Sequence, residues 1–179
     1  MPRGTASAWT PPAEVTARTI RIATRDDAAA IAAIYNPFIR DTTITFEETE
    51  VSADEIAARI ADVAAASLPW YVAEDEGRIA GYAYATRWRA RSAYRYAVEV
   101  TVYVDPAAAR RGHGRRLYAT LFDDLRRRGI HTALGCIALP NAASIALHES
   151  VGMHKVAQFE QVGFKFGRRI DTGYWQMLL

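Results

Sequence analysis

Apolar residues recur along this chain at two spacings, and the points where one gives way to the other mark its elements. Residues 19–23 alternate as a short strand. Ala28, Ile31, Ala32, Ile34 and Tyr35 then repeat at helical spacing, behind a Thr24 that can cap the helix and an Asp27 suited to its positive end. The residue before a proline avoids the α region, so Asn36-Pro37 is expected to end this helix. Ser52-Ala53-Asp54-Glu55 has the form of a capping box and opens a second helix that runs as far as Ala66. Residues 70–74 and 79–85 read as strands joined in a hairpin at Glu76-Gly77.

The most regular strand covers residues 98–104, with valine at Val98, Val100, Val102 and Val104. A period of two places Glu99, Thr101 and Tyr103 together on its other face. Residues 114–128 form an amphipathic helix whose Leu117, Tyr118, Leu121, Phe122 and Leu125 share one stripe, ended by Gly129. A strand at 133–137, a helix at 142–151 ended by Gly152, and closing strands at 156–162 and 173–178 complete the chain. No internal repeat or linker divides it. The order β-α-α-β-β-β-α-β-α-β-β predicts one α/β domain over residues 19–179, a central mixed sheet flanked by about four helices.

Half of the 179 residues are apolar, enough for a single packed core. The formal net charge is +2 and no basic stripe with interleaved aromatics appears, which argues against nucleic acid as a partner. No apolar run reaches the roughly 20 residues of a membrane span. Residues 1–18 hold Pro2, Pro11 and Pro12 without an apolar run, so they read as a loose, flexible leader rather than a signal peptide, and a cytoplasmic protein is expected. The single cysteine, Cys136, excludes an internal disulfide and lies in the apolar run Ala133-Leu134-Gly135-Cys136-Ile137, where it reads as core packing. Arg126-Arg127-Arg128 reads as a solvated helix end, where cations suit the dipole.

The run Arg110-Arg111-Gly112-His113-Gly114-Arg115 stands between the central strand and the amphipathic helix. Glycine turns tightly and lets a ligand approach the backbone, while free N–H groups and the dipole at a helix start attract phosphate. Arg110, Arg111 and Arg115 add charge at the same point, so a diphosphate is a natural ligand. A P-loop would need a Gly-Lys-Ser/Thr ending, which is missing. A dinucleotide fingerprint would need glycine where Leu117 stands. An acyl-coenzyme A loop is the remaining class, although a helix entry can also use glycine without binding anything.

Several separated motifs make the reading specific. They are residues 94–104 (Tyr94 to Val104), the glycine loop, Leu139-Pro140-Asn141 and Ala146-Leu147-His148-Glu149-Ser150-Val151-Gly152. Tyr35-Asn36 and Val162-Gly163-Phe164-Lys165-Phe166-Gly167 belong to the same pattern. From Ile20 to Leu179 the chain resembles the phosphinothricin and methionine sulfoximine N-acetyltransferases of the GNAT superfamily. The resemblance implies a GNAT fold, acetyl-CoA as donor, and acetyl transfer to the α-amino group of a small amino acid or analogue. It implies that backbone groups of Val102, Tyr103 and Val104 pair with the pantetheine amides like an added strand, with an N–H near Val104 meeting the oxyanion. It places Arg110, Arg111, Gly112, His113, Gly114 and Arg115 at the diphosphate, and Asn141 with Ser144 along the pantetheine arm. One departure stands at Ala109, where the family usually has Gln or Arg; most of the diphosphate donors are backbone N–H groups.

An ammonium has no lone pair, so acetylating an amine calls for a base to take its proton. Glu99, among valines and just before the glycine loop, suits that role because apolar surroundings raise a carboxyl pKa. Its structural alternative is an ion pair with a nearby arginine. His148 follows Asn141 by seven residues, two turns along one helix face. Its ordinary pKa near 6.5 lets it give or take a proton. In the family a histidine here stands where most GNAT enzymes have a tyrosine; ordinary packing is the other reading. Which of Glu99 and His148 is the base stays open, and Asn141 also reads as a helix cap.

An amino-acid acceptor carries a carboxylate, which an arginine fork binds through both oxygens. Arg89 and Arg95 stand with Trp88, Tyr94 and Tyr96 just before the catalytic strand, and the resemblance adds Tyr35, Thr43 and Phe46 after the first helix. Either arginine can instead face solvent or pair with Glu74 or Glu99. The resemblance further implies a homodimer that builds part of its pocket from both subunits. No metal is expected, because His148-Glu149 lacks the second histidine of a zinc helix and no other spacing suggests a site. Two other readings share the loop. Acetyl transfer to a polyamine or aminoglycoside calls for an acidic pocket, and a non-catalytic acyl-CoA sensor has no use for a base.

Overall fold

The protein is described by a computed structural model covering residues 18–179; the expected leader, apart from Arg18, lies outside the described residues. The elements in chain order are β1 (Thr19–Ile22), α1 (Ala28–Asp41), α2 (Ala53–Ala65), β2 (Trp70–Asp75), β3 (Arg78–Arg87), β4 (Ala97–Val104), α3 (His113–Arg127), β5 (Thr132–Leu139), α4 (Ala142–Ser150), β6 (His154–Lys165) and β7 (Arg168–Leu178). The strands form one seven-stranded sheet in the order β1-β2-β3-β4-β5-β7-β6. Neighbours are antiparallel except β4 and β5, which run parallel because α3 carries the chain back across the sheet. Glu76 and Gly77, with φ of 52° and 75°, close the β2–β3 hairpin in the left-handed turn that matches strand twist.

Alternation along β2 shows what covers each face of the sheet. The Tyr71 hydroxyl donates to Asp124 of α3 at 3.0 Å. Its neighbour Trp70 points the other way and stacks on Tyr82 and Tyr84. Tyr82 meets Tyr103, which packs against Tyr35 and Phe38 of α1. Helices α1 and α2 therefore cover one face and α3 the other. The apolar stripe of α3 is buried throughout, Leu117, Tyr118, Leu121 and Leu125 completely. Ser52 and Glu55 exchange the hydrogen bonds of a capping box at the start of α2. At the start of α1 the Asp27 carboxylate reaches back to the Thr24 N–H at 2.7 Å and is held by both Arg21 terminal nitrogens.

Three expectations need correction. Helix α1 does not stop at Asn36-Pro37 but runs through Pro37 to Asp41. A proline inside a helix costs about 3 kcal/mol. Burial of Ile39, at about 2 kcal/mol for a well-buried side chain, and the packing of partly buried Phe38 on Tyr103 offset it. Asn36 is also tied to the Val51 backbone by two 3.0 Å bonds, which hold the last turn in place. The closing strands are longer than read, because β6 and β7 form one hairpin around Phe166-Gly167. Cys136 is exposed, since β5 turns Ala133 and Ile137 into the core while Cys136 faces outward from the sheet.

The sheet carries one opening. Strands β4 and β5 are in register only from Ala97 opposite Thr132 to Glu99 opposite Leu134. Beyond that point β4 continues to Val104 beside β3, and β5 to Leu139 beside β7. The two strands part at Glu99, and among the described residues their facing edges have no sheet partner.

Candidate active site

The glycine loop is built by backbone geometry. Asp105 caps a short turn by accepting the Ala107 N–H at 2.9 Å, Arg110 takes a φ of 62°, and Gly112 takes 83° immediately before α3. Gly112 is needed for that left-handed conformation; a Cβ there would meet nothing within 4 Å. Gly114 has a different task. A Cβ on it would stand 2.9 Å from Leu147, so its absence lets α4 pack on α3. The N–H groups of the first turn of α3 have no intrahelical acceptor, and exposed Arg110, Arg111 and Arg115 surround them. The His113 ring is buried beneath the loop, with Nε2 3.1 Å from the Asp75 carboxylate, which leaves its backbone rather than its side chain at the loop surface.

The opening between β4 and β5 is a pocket with a volume of about 250 Å³. Tyr35, Phe46, Glu99 and Thr101 line it from the α1 side of the sheet, and Tyr118, Ser144 and His148 from the α3 side. Asn141 lines the pocket and also caps α4, its Oδ1 accepting the Ser144 N–H at 3.1 Å. The facing backbone of Val102 and Tyr103 borders the same space.

Glu99 sits half-buried on the pocket wall. Burial raises its carboxyl above the usual range, and among the described residues no arginine or lysine pairs with it. His148 is buried, and both ring nitrogens are engaged. Nδ1 lies 2.7 Å from the Ser144 carbonyl, which can only accept, so Nδ1 carries the proton. Nε2 is then an acceptor, and the Tyr118 hydroxyl donates to it at 2.9 Å. Burial lowers the His148 pKa, which keeps the ring neutral at neutral pH. Space for the ring comes from Gly135, where a Cβ would stand 2.6 Å from Nε2.

The residues expected at the acceptor divide. Tyr35 donates to Glu47 at 3.1 Å and lies 2.6 Å from the Thr45 hydroxyl, with burial pushing its phenol up to about 12. Phe46 is 38% exposed at the pocket rim, and Thr43 does not line the pocket. Arg89 and Arg95 are not brought to it. They line a separate cleft of about 580 Å³ with Arg87, Arg91 and Arg128, stacked on Trp88 and Tyr96 respectively. Arg89 is still close enough to act on Tyr174, whose phenol burial and a Cys136 contact push up to about 12 against the charge of Arg89.

Tyr118, Tyr84 and Cys136 are among the lining residues that escaped the sequence reading. Tyr118 belongs to the apolar stripe of α3, and nothing in the spacing separates it from core. Tyr84 alternates as any sheet tyrosine, and Cys136 looks buried from its neighbours. Among the described residues no cluster of His, Cys, Asp and Glu could hold a metal.

Comparison with known proteins agrees with this geometry. Residues 20–174 match the Acetyltransferase (GNAT) domain family. The chain is 42% identical over 155 residues to a phosphinothricin N-acetyltransferase of Alcaligenes faecalis, covering 86% of this chain and 79% of that one. It is 40% identical to an L-methionine sulfoximine/L-methionine sulfone acetyltransferase of Salmonella typhimurium, covering 90% and 94%. A Sinorhizobium meliloti phosphinothricin acetyltransferase solved with acetyl-CoA superposes with a TM-score of 0.87 at 35% identity, covering 90% of this chain and 88% of that one. With the split between β4 and β5, the glycine loop and this similarity in place, the chain belongs to the GNAT acetyltransferases.

Proposed function

We propose that this chain transfers the acetyl group of acetyl-CoA to the α-amino group of a small amino acid or analogue, of the phosphinothricin or methionine sulfoximine kind, with Glu99 as base. The observation that carries this is Glu99 itself, a half-buried carboxylate on the pocket wall where the two strands part, with no cation paired to it among the described residues. The surroundings fit the donor. The free edge of β4 at Val102 to Val104 suits the pantetheine amides, and the first turn of α3 with its three arginines suits the diphosphate. Acetyl-CoA supplies the activated thioester. Glu99 takes one proton from the acceptor ammonium and passes it to solvent. The freed nitrogen bonds the acetyl carbon, and the carbon–sulfur bond breaks with the pair staying on sulfur. The second proton leaves the nitrogen for that thiolate, giving the amide and the free thiol. His148 is poorly placed as first base, because Tyr118 and Ser144 occupy its nitrogens; we assign it the holding of Tyr118 at the pocket.

Among the described residues no lysine or arginine lines the pocket, so we place the meeting with the acceptor carboxylate at its rim. Arg89, whose charge acts on Tyr174 although it lines the separate cleft, is the anchor we propose, ahead of Arg95. We also propose a homodimer. The outer edge strand β6 exposes Val156, Phe159, Val162 and Phe164, and Phe166 follows in the turn, all 45–60% accessible. Such a row on an unpaired sheet edge is stable only when covered.

Free-thiol release from acetyl-CoA across a panel of acceptors tests the function. Release with L-methionine sulfoximine or phosphinothricin, and little with spermidine or an aminoglycoside, is the expected result. Tight coenzyme binding without release for any amine would identify a sensor instead.

A further inference from the structure

The motif from Val162 to Gly167 has no part in the chemistry above, yet two of its side-chain positions touch the pocket wall. Lys165, the last residue of β6, is only 1% exposed, and its Nζ donates to the Thr45 carbonyl at 2.8 Å. Gly163, two residues earlier, lies under the Phe46 ring, where a Cβ would collide with Cζ. Residues two apart share one face of a strand, so β6 presents a flat spot and an ammonium side by side to Phe46 and Thr45. Both of those residues line the pocket that holds Glu99. They belong to the irregular segment between α1 and α2, whose inner side is tied down by Thr45 to Tyr35, and by Glu47 to Arg59 at 2.7 Å. Burying an ammonium costs stability, which the Thr45 bond, the Phe166 ring 5.2 Å from Nζ and the charges of Glu47 and Glu48 offset in part, and an aliphatic chain would fit the same strand position without that penalty. What the ammonium adds is a directed bond that fixes Thr45.

We infer that Gly163 and Lys165 are positioning residues for the acceptor. They clasp the Thr45-Phe46 wall to the β6–β7 hairpin at a set distance from Glu99, and so determine which amino-acid side chain the pocket admits. This rests on the amino-acid acceptor proposed above.

The test is thiol-release kinetics of the full chain with L-methionine sulfoximine and acetyl-CoA, each varied in turn. Lys165→Met should raise the acceptor KM about tenfold and leave the acetyl-CoA KM and kcat within about twofold. Lys165→Arg keeps a donor and should recover most of the loss. Gly163→Ala pushes the Phe46 ring and should raise the acceptor KM alike. In a Phe46→Ala background the same substitution has no ring to displace and should add nothing. Should Lys165→Met fail to fold by thermal melt, the Gly163 and Phe46 cycle decides alone. Equal rises in both KM values, no rise in either, or an additive cycle overturns the clasp. A natural chain that releases no thiol with L-methionine sulfoximine overturns the acceptor reading beneath it, which keeps the two failures distinct.

Discussion

Burial alone moves the Glu99 carboxyl, and it moves the pKa up. A base works only when ionised, so turnover should fall on the acid side at a higher pH than an ordinary carboxylate gives. Glu99→Gln should lower kcat by about 10²–10⁴-fold and abolish that limb of the pH profile, with acetyl-CoA affinity nearly intact. An unchanged profile would remove Glu99 as the base. Stability runs the other way. A raised carboxyl pKa means the fold disfavours the anion; the penalty is full above the folded pKa and absent below the unfolded one. Glu99→Gln should therefore melt no lower than the natural chain at mildly alkaline pH, with any advantage fading in acid. Gly135 is the second telling residue. Gly135→Ala places a methyl 2.6 Å from His148 Nε2, in a ring packed too closely to yield. Loss of the Tyr118 bond should cost about tenfold or more in kcat with the circular dichroism unchanged.

At the scale of elements, the two loop glycines predict different failures. Gly112→Val forces an L side chain into a φ of 83°, a strain of about 1–2 kcal/mol or more for a branched residue, at the turn that presents N–H groups to the diphosphate. The acetyl-CoA KM should rise while the acceptor KM holds; an unaltered acetyl-CoA KM would place the donor elsewhere. Gly114→Ala meets Leu147 at 2.9 Å and pushes α4, which carries His148, away from α3. A lower melting temperature and a lower kcat should appear together there. Both glycines look alike along the chain. The distinction between them arises because Leu147, more than thirty residues away, is folded against only one.

For the whole molecule, the exposed row on β6 predicts the assembly. Phe164→Glu should convert a dimer to a monomer by light scattering, whereas a natural chain that is already monomeric at assay concentration would end the proposal. The same scale separates what local pattern reveals from what packing decides. The Ser52 capping box, the Glu76-Gly77 hairpin and the α3 stripe are interactions among residues a few positions apart, and they are legible in the sequence without the fold. Glu99 at the end of a valine ladder belongs with these, since a period of two assigns its face. Tertiary structure alone decided that β4 and β5 part at Glu99, that Cys136 faces outward, and that His113 turns down to Asp75. It also carried α1 through Pro37, bonded Tyr118 to His148, and left Arg89 and Arg95 outside the pocket. Each of those outcomes compares a local preference with contacts made across the sheet. The distant partner wins whenever the apolar area or hydrogen bond it offers exceeds the local cost, and no window of neighbouring residues contains that term.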